Sequence, residues 1–493
     1  MAEGKNKLIG SMFWSLTQNF VSLGIGLIVS TVIARMLVPE AYGVVAAANI
    51  FISLANTFVS GGFGNALIQR NADDKDCSTM FIFNTVFSLT MYGVIFFSAP
   101  VLVTFFNNSF DRDLLISVIR TLGIGIVLSS FNSFYRALLQ KQLMFKKLFK
   151  FTLAGSLISG AVGIIMAYQN FGVWALIAQT LLSYLFNTVI FVRNCKWRPQ
   201  LYFSFKRFFP MFSYGVKMML TSFLISIYAE TTSMVIGNQY TAEDLACHQK
   251  GITFPKTLSV NIVNSICTVL FPVLATMRDA VAIKHIVRKF NRISAFVVTP
   301  VMFGFAAVGS AFIELLLTDT WIAAVPFLQI CCFTYAVQPI AMSSLQYLRS
   351  SGRATEYLVL DVIRKAIGII LIIVAVALKK GVILIAVSDL VSNILAIFVN
   401  MYPGKKHIGY GITEQIWDVL PKFFLSGAMF IIVSLVGMLP LALPLLLKMF
   451  MQITVGVIVY VFGAWLFRMR ELGEMMEIIR RLLKRDTPKT KNL

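Results

Sequence analysis

The chain has 493 residues, 58% of them hydrophobic and 13% charged, with 43 Lys and Arg against 22 Asp and Glu and a formal net charge of +21. Its mean hydropathy of +0.79 excludes an ordinary soluble globular protein and marks an integral membrane protein. A charge of this size suggests nucleic acid only if the cations share one soluble face, so where they fall along the chain decides what they do.

Apolar stretches of about 20 residues span a bilayer as helices. Polar turns and charge clusters divide the sequence into fourteen of them, at 11–34, 43–65, 80–104, 113–139, 148–168, 172–192, 208–232, 251–275, 286–310, 322–347, 356–378, 382–402, 418–440 and 444–467. The first follows Lys5 and Lys7 as the core of a signal peptide would. It is too long for one, contains Thr17-Gln18-Asn19 and leads into ARMLVPEAYG rather than a small-residue cleavage site, so it reads as a retained helix. GGFG at 61–64 closes the second span and reads as close packing or a local bend rather than a nucleotide loop. After the fourth span, NSFYRALLQKQLMFKKLFKF gathers Arg136, Lys141, Lys146, Lys147 and Lys150 among aromatic rings, with no acid.

Equally basic clusters recur at 193–207 and 278–292, and all of these lie on one side of an even number of spans. The opposite side holds only Arg35, Arg112, Lys250, Lys379, Lys380 and Lys448. Such a bias predicts a multi-pass protein with both termini in the cytoplasm. Beyond the last span, Leu472, Met475, Met476, Ile479, Leu482 and Leu483 recur at helical spacing among Arg480, Arg481, Lys484 and Arg485. That pattern predicts a short helix lying on the anionic inner leaflet, and IKHIVRKFNR at 283–292 has the same character.

Two stretches repeat weakly. ARMLVPEAYGVVA and GNQYTAEDLACHQ each follow the first helix of a half, with Glu40 and Glu243 at corresponding points; ALIQRNAD and VLATMRDA each close the next helix with Arg70 and Arg278. The repetition predicts an all-α membrane fold of two pseudo-symmetric six-helix bundles, 1–195 and 196–405, then two additional helices, 406–467, and a basic amphipathic tail, 468–493. Substrate binds between the halves of such duplicated designs, and access alternates. The six cysteines contain no CxxC and read as buried thiols, while His248, His285 and His407 lie too far apart to suggest a metal, and no cofactor is implied. Short loops and the lack of a Walker loop, a DxD pair or a GxSxG favour a transporter over an enzyme.

FWSLTQNFVSLGIGLIVSTVIARMLVPEAYGVVA, GGFGNALIQR, FYRALLQKQLMFKKL, VLFPVLATMRD and WIAAVPFLQICC, in this order and spacing, resemble the Wzx-type polysaccharide flippases of the MOP superfamily. The branch is the one that includes colanic-acid and teichuronic-acid exporters, and the resemblance covers essentially the whole chain. It departs at YTAEDLACHQKGITFPKTL, where Leu245 and His248 stand at positions usually taken by tyrosines. The resemblance implies a MATE-like fold and a flippase that moves undecaprenyl-pyrophosphate-linked oligosaccharide repeat units across the bacterial inner membrane by alternating access, for surface polysaccharide biosynthesis. Its partners would be that substrate and membrane lipids, with a polymerase and glycosyltransferases nearby. A MATE-like drug or cation antiporter is the alternative, and a membrane polysaccharide polymerase a third.

An anionic pyrophosphate asks for cations inside the spans, where charge is rare and informative. Arg120, Lys217, Lys256 and Arg364 are the candidate cavity cations, with Arg136 at the cavity mouth. Lys217 and Lys256 lie close enough to helix starts to snorkel instead. Asp361 stands i,i+3 from Arg364 and i,i+4 from Lys365, so the three can also neutralise one another. Asp389, near the middle of the twelfth span, is the leading candidate for ion coupling, followed by Glu230; a hydrogen bond between helices is the plainer reading. Gln18 and Asn19, with Asn49 and Asn56, offer amides to sugar hydroxyls, and Trp14 and Tyr228 offer stacking faces.

Overall fold

Each of the fourteen apolar segments folds as helix over most of its described residues, and the tenth is broken in two. A computed structural model describes residues 2–60, 73–107, 109–142, 144–195, 197–277, 279–440 and 443–483. The first half of the chain forms α1 (Ala2–Met36), α2 (Pro39–Ser60), α3 (Asp74–Val103), α4 (Arg112–Lys141), α5 (Phe145–Tyr168), α6 (Val173–Asn194) and α7 (Phe205–Gln239). The second continues with α8 (Ala242–Thr276), α9 (Ala280–Ala307), α10 (Gly309–Leu317), α11 (Val325–Ala336), α12 (Gln338–Ser350), α13 (Ala354–Ala377), α14 (Val382–Ile408), α15 (Ile412–Met438), α16 (Leu445–Leu466) and α17 (Arg470–Leu483). Eleven stretches among the described residues are long and apolar enough to cross a membrane. GGFG, Arg70, Lys196 and Arg278 lie outside the described residues.

Local chemistry sets the helix starts. Asp73 caps α3 in a reciprocal box with Asp76, whose N–H donates to Asp73 Oδ1 at 2.7 Å, so two of the otherwise unsatisfied first-turn donors are bonded. Asp111 and Asp279 cap α4 and α9 without a reciprocal box, each accepting from two first-turn backbone N–H groups. The expected continuous tenth span, 322–347, is corrected by the structure. A 3₁₀ helix over Asp319–Ala324 leads into α11, which stops at Ala336, and Pro339 lies in the first turn of α12. Proline has no N–H to give to a preceding turn and its ring crowds the carbonyl four residues back, so one straight helix cannot pass through it. The sequence reading also passed over α10, nine residues between the ninth and tenth spans.

The chain separates into two compact units, Met1–Gln249 and Lys250–Leu493, with the division inside α8. In the first unit α1 packs on α5, α5 on α6, α3 on α4, and α2 on both α4 and α7. One core cluster there joins Met80, Phe134, Tyr135, Leu138, Leu148 and Phe208. Phe134, Tyr135, Leu138, Leu139 and Leu148 of the basic stretch 132–151 therefore face inward, while Arg136, Lys146, Lys147 and Lys150 are exposed. Gly43 lets α2 touch the start of α8: a Cβ there would lie 1.9 Å from the Ala242 carbonyl oxygen, so no side chain fits.

In the second unit α9 packs on α11, α12 and α15, α13 lies on α14, and α15 on α16. Leu472 and Met475 of α17 pack against a cluster containing Phe296, Leu425 and Met429. The tail helix expected on the membrane surface is thus also seated on α9 and α15. All six cysteines are buried and free.

Candidate substrate and coupling sites

In the first unit the polar groups inside the spans form a seam of hydrogen bonds. Ser53 and Thr57 stand i,i+4 on α2, and Ser226 and Glu230 stand i,i+4 on α7, which puts each pair on one helix face. Packing α2 on α7 brings the faces together: Ser53 Oγ donates to Glu230 Oε1 at 3.0 Å, and the Thr57 and Ser226 hydroxyls lie 2.9 Å apart. On α4, Ser129 Oγ donates to Asn56 Oδ1 at 2.5 Å, and Asn132 Nδ2 donates to the Tyr184 carbonyl of α6 at 2.9 Å. Each such bond inside a membrane contributes roughly 0.6 kcal/mol. Several together hold the register of four helices.

In the second unit the polarity is ionic. Asp389 on α14 lies in the field of Lys256 on α8, and the same two charges act on Cys331 of α11. Lys256 and Asp389 form no ion pair in contact, so neither is consumed by the other. Asn393 Nδ2 reaches Asp389 Oδ1 at 3.3 Å from the next turn. At the break between α11 and α12, Ser259 Oγ donates to Gln338 Oε1 at 3.2 Å. One turn of the cluster thus joins a cation, an acid and a broken helix, a combination suited to binding an ion and moving a helix with it.

The remaining sequence candidates do not converge. Arg120 is tied to α3: its Nε donates to the Phe96 carbonyl at 3.2 Å and its guanidinium lies 4.6 Å from the Phe96 ring centroid. Arg136 lies sixteen residues further along α4, about 24 Å away at 1.5 Å per residue, so the two cannot hold one pyrophosphate. It is exposed on the last turns of the helix. Arg364 shares its charge, since Asp361 receives Lys365 at 2.9 Å and Arg364 at 3.4 Å. Gln18 is buried on α1. The side chains of Lys217, Asn19 and Trp14 lie outside the described residues.

Two ionic contacts hold the ends of the spans in place. Arg207, at the start of α7, donates to Asp73 Oδ2 at 2.6 Å and Asp76 Oδ1 at 3.0 Å. Arg207 first, and then the Asp76 N–H, hold the Asp73 carboxyl below its usual range. On α17, Glu471 is 2% exposed and accepts Arg292 Nε at 2.6 Å and Lys422 Nζ at 2.9 Å. Burial pushes that carboxyl up, but the Arg292 hydrogen bond, its own backbone N–H and Lys422 outweigh it and keep the pKa below the ordinary value.

An apolar groove of about 400 Å³ runs beside these groups in the second unit, bounded by Leu258, Pro300, Phe305, Met429, Ile453 and Val457. Hydrocarbon is the only ligand chemistry such a lining favours.

Sequence reasoning named Asp389, Lys256 and Glu230 as candidates but not the hydroxyls of Ser53, Thr57, Ser129 and Ser226 that bond in the same spans. Their i,i+4 spacing on α2 and α7 was a usable signal, since two polar faces of equal pitch invite pairing. Glu471 was missed because a carboxylate in a basic amphipathic tail looks like part of a solvated face.

The sequence pattern of the family described as polysaccharide biosynthesis protein matches residues 32–326. The chain is 26% identical to the teichuronic acid biosynthesis protein TuaB of Bacillus subtilis (strain 168) over 298 residues, which cover 59% of this chain and 61% of that one. It is 23% identical to the lipopolysaccharide biosynthesis protein WzxC of Escherichia coli (strain K12) over 445 residues, 86% of each chain. Its fold is similar to that of a lipid II flippase, MurJ, in an inward closed conformation, with a TM-score of 0.74, 16% identity and coverage of 92% of this chain and 98% of that one.

Proposed function

Because the chain belongs to the polysaccharide biosynthesis protein family, we propose that it is a flippase for undecaprenyl-pyrophosphate-linked oligosaccharide repeat units. It carries them from the inner to the outer leaflet of a bacterial cytoplasmic membrane by alternating access, with both termini cytoplasmic. The observation that carries this reading is the intramembrane polarity. Ser53, Asn56, Thr57, Ser129 and Glu230 offer sugar-type hydrogen bonding in one unit, and Lys256 and Asp389 offer charge in the other. A bilayer tolerates such groups only where they bind one another or a polar cargo.

Each part of the cargo has a chemical counterpart. Cations suit a pyrophosphate, either as a bidentate guanidinium or as a compact ammonium. Lys256 is the best placed, being exposed and without an ion pair among the described residues, while Arg364 is half neutralised. The apolar groove beside α9, α15 and α16 fits the isoprenoid tail. Asp389 is the coupling acid, and the broken helix α11–α12 beside it is the element its charge state would move. The protein works as a transporter rather than an enzyme, upstream of a polymerase and downstream of glycosyltransferases.

An antiporter for cationic drugs needs acids in excess, yet cations outnumber acids in these spans, with Arg120, Lys217, Lys256, Arg364 and Lys365 against Glu230, Asp361 and Asp389. Reconstitution tests the proposal: vesicles loaded with a lipid-linked repeat unit are probed with a membrane-impermeant sugar oxidant. Protein-containing vesicles should expose nearly all of the lipid to the probe, and empty vesicles about half. Equal protection in the two would overturn it.

A further inference from the structure

A second crevice, of about 690 Å³, opens in the Lys250–Leu493 unit where α9 and α15 meet the joint between α16 and α17. Its floor is an ion-pair ladder. Arg288 binds Glu414 and Asp418 at 2.9 and 2.7 Å, and Arg292 and Lys422 both bind Glu471. Lys284 also binds Glu414, at 2.8 Å, so each of these four cations already has an acid partner. Two further guanidiniums on the crevice wall, Arg468 and Arg470, are exposed and have no acid within ion-pair distance among the described residues. They add two positive charges that no acid among the described residues offsets.

Two more observations bear on what fills it. Arg468 occupies a left-handed turn, φ +48°, in which the Met469 N–H reaches the Ala464 carbonyl at 2.9 Å and the Arg468 N–H reaches the Trp465 carbonyl at 3.0 Å. That double bond pattern ends helices, and glycine adopts its left-handed position without strain. An arginine placed there is held in an unfavourable backbone conformation at the edge of the crevice. The same crevice is lined by Trp417, Phe424 and Phe467, which are 71%, 70% and 67% exposed. Large rings left open beside unpaired guanidiniums are the arrangement found at the level of lipid headgroups.

We propose that this crevice is a resident binding site for the phosphate of an anionic membrane lipid. Arg468 and Arg470 take the phosphate oxygens, the ion-pair ladder supplies a polar floor, and the three rings flank the first carbons of the acyl chains. The lipid joins α15, α16 and α17 from outside and is distinct from the transported cargo, so the inference stands whatever the transporter carries. Phosphate chemistry alone would also admit a soluble phosphate; the rings favour the lipid.

The test uses the full chain purified in detergent, with native mass spectrometry reading the bound fraction of phosphatidylglycerol and of phosphatidylcholine. The variants are R468G, which relieves the left-handed turn as it removes the charge, and R470Q. K379G is the control, because Lys379 is also left-handed, φ +51°, exposed, and remote in sequence from the crevice. Each of R468G and R470Q should weaken phosphatidylglycerol binding roughly five-fold, about the effect of one basic residue at an anionic surface, with phosphatidylcholine binding and K379G unchanged. Equal phosphatidylglycerol binding by all variants would overturn the site. Stabilisation of the wild type, but not of R468G, by inorganic phosphate alone, with lipid adding nothing, would overturn the lipid assignment.

Discussion

The two units handle buried polarity differently. Met1–Gln249 keeps it neutral and bonded: hydroxyls and amides on α2, α4, α6 and α7 satisfy one another, with the Glu230 carboxylate drawn into the same network. Lys250–Leu493 keeps it charged, as the Lys256 and Asp389 pair held apart, the Asp361 triad and the Glu471 clamp. A neutral seam can exchange partners with a sugar at small cost, because one hydrogen bond replaces another. A charge inside a membrane can only be matched, moved or neutralised, which suits it to coupling and anchoring.

The clamp is where this contrast should be largest. Glu471→Ala leaves Arg292 and Lys422 without their acid in a largely buried place and should cost on the order of 3 kcal/mol. A lowered thermal midpoint and faster proteolysis at α17 would register the loss. An unchanged midpoint would mean that the clamp is no stronger than a surface ion pair.

Next in size is the charged cluster. Asp389→Asn should slow transport about ten-fold or more, on the scale of 1.4 kcal/mol, if the acid is the coupling group. The double variant Asp389→Asn with Lys256→Met sharpens the point. Recovery of transport in the double variant to the level of Lys256→Met alone would reduce Asp389 to a counter-charge for Lys256; a further loss below Lys256→Met keeps it as the coupling acid.

A smaller effect is expected in the seam. Glu230→Gln preserves an acceptor for Ser53 and should leave stability within about 0.5 kcal/mol, whereas Glu230→Ala should cost about 1 kcal/mol. A Glu230→Gln variant as impaired in transport as Asp389→Asn would erase the distinction between the units.

Acid gives the fourth comparison. The Glu471 pKa is held below its unfolded value, so its contribution is full above the ordinary carboxylate range and is lost as pH falls through the lowered folded value. Protease release of α17 should follow that sign in the wild type and be insensitive to pH in E471Q. The exposed Arg207 contact with Asp73 should be screened by salt, so any effect of Arg207→Gln on stability should shrink as ionic strength rises.

Much of the architecture was legible because a bilayer imposes a length and a polarity on each helix. The fourteen spans were set by runs of apolar residues, and the break at Pro339 lay in plain view but was overridden by the hydropathy around it. Partners were harder to read. Asp361, Arg364 and Lys365 could be paired from spacing alone because they share one helix, whereas Asp389 and Lys256 are 133 positions apart and meet only through the packing of the second unit. The inward-facing half of the basic stretch 132–151 was hidden for a similar reason: Phe134, Tyr135 and Leu138 pack against α3 and α7, which the stretch itself cannot announce.

The most direct test of the flippase account is to delete the protein from cells that make the polysaccharide and locate the lipid-linked repeat unit. The account predicts an intact repeat unit accessible only from the cytoplasmic leaflet, with polymerisation restored when outward-facing substrate is supplied. Repeat units that still reach the outer leaflet and remain unpolymerised would contradict it.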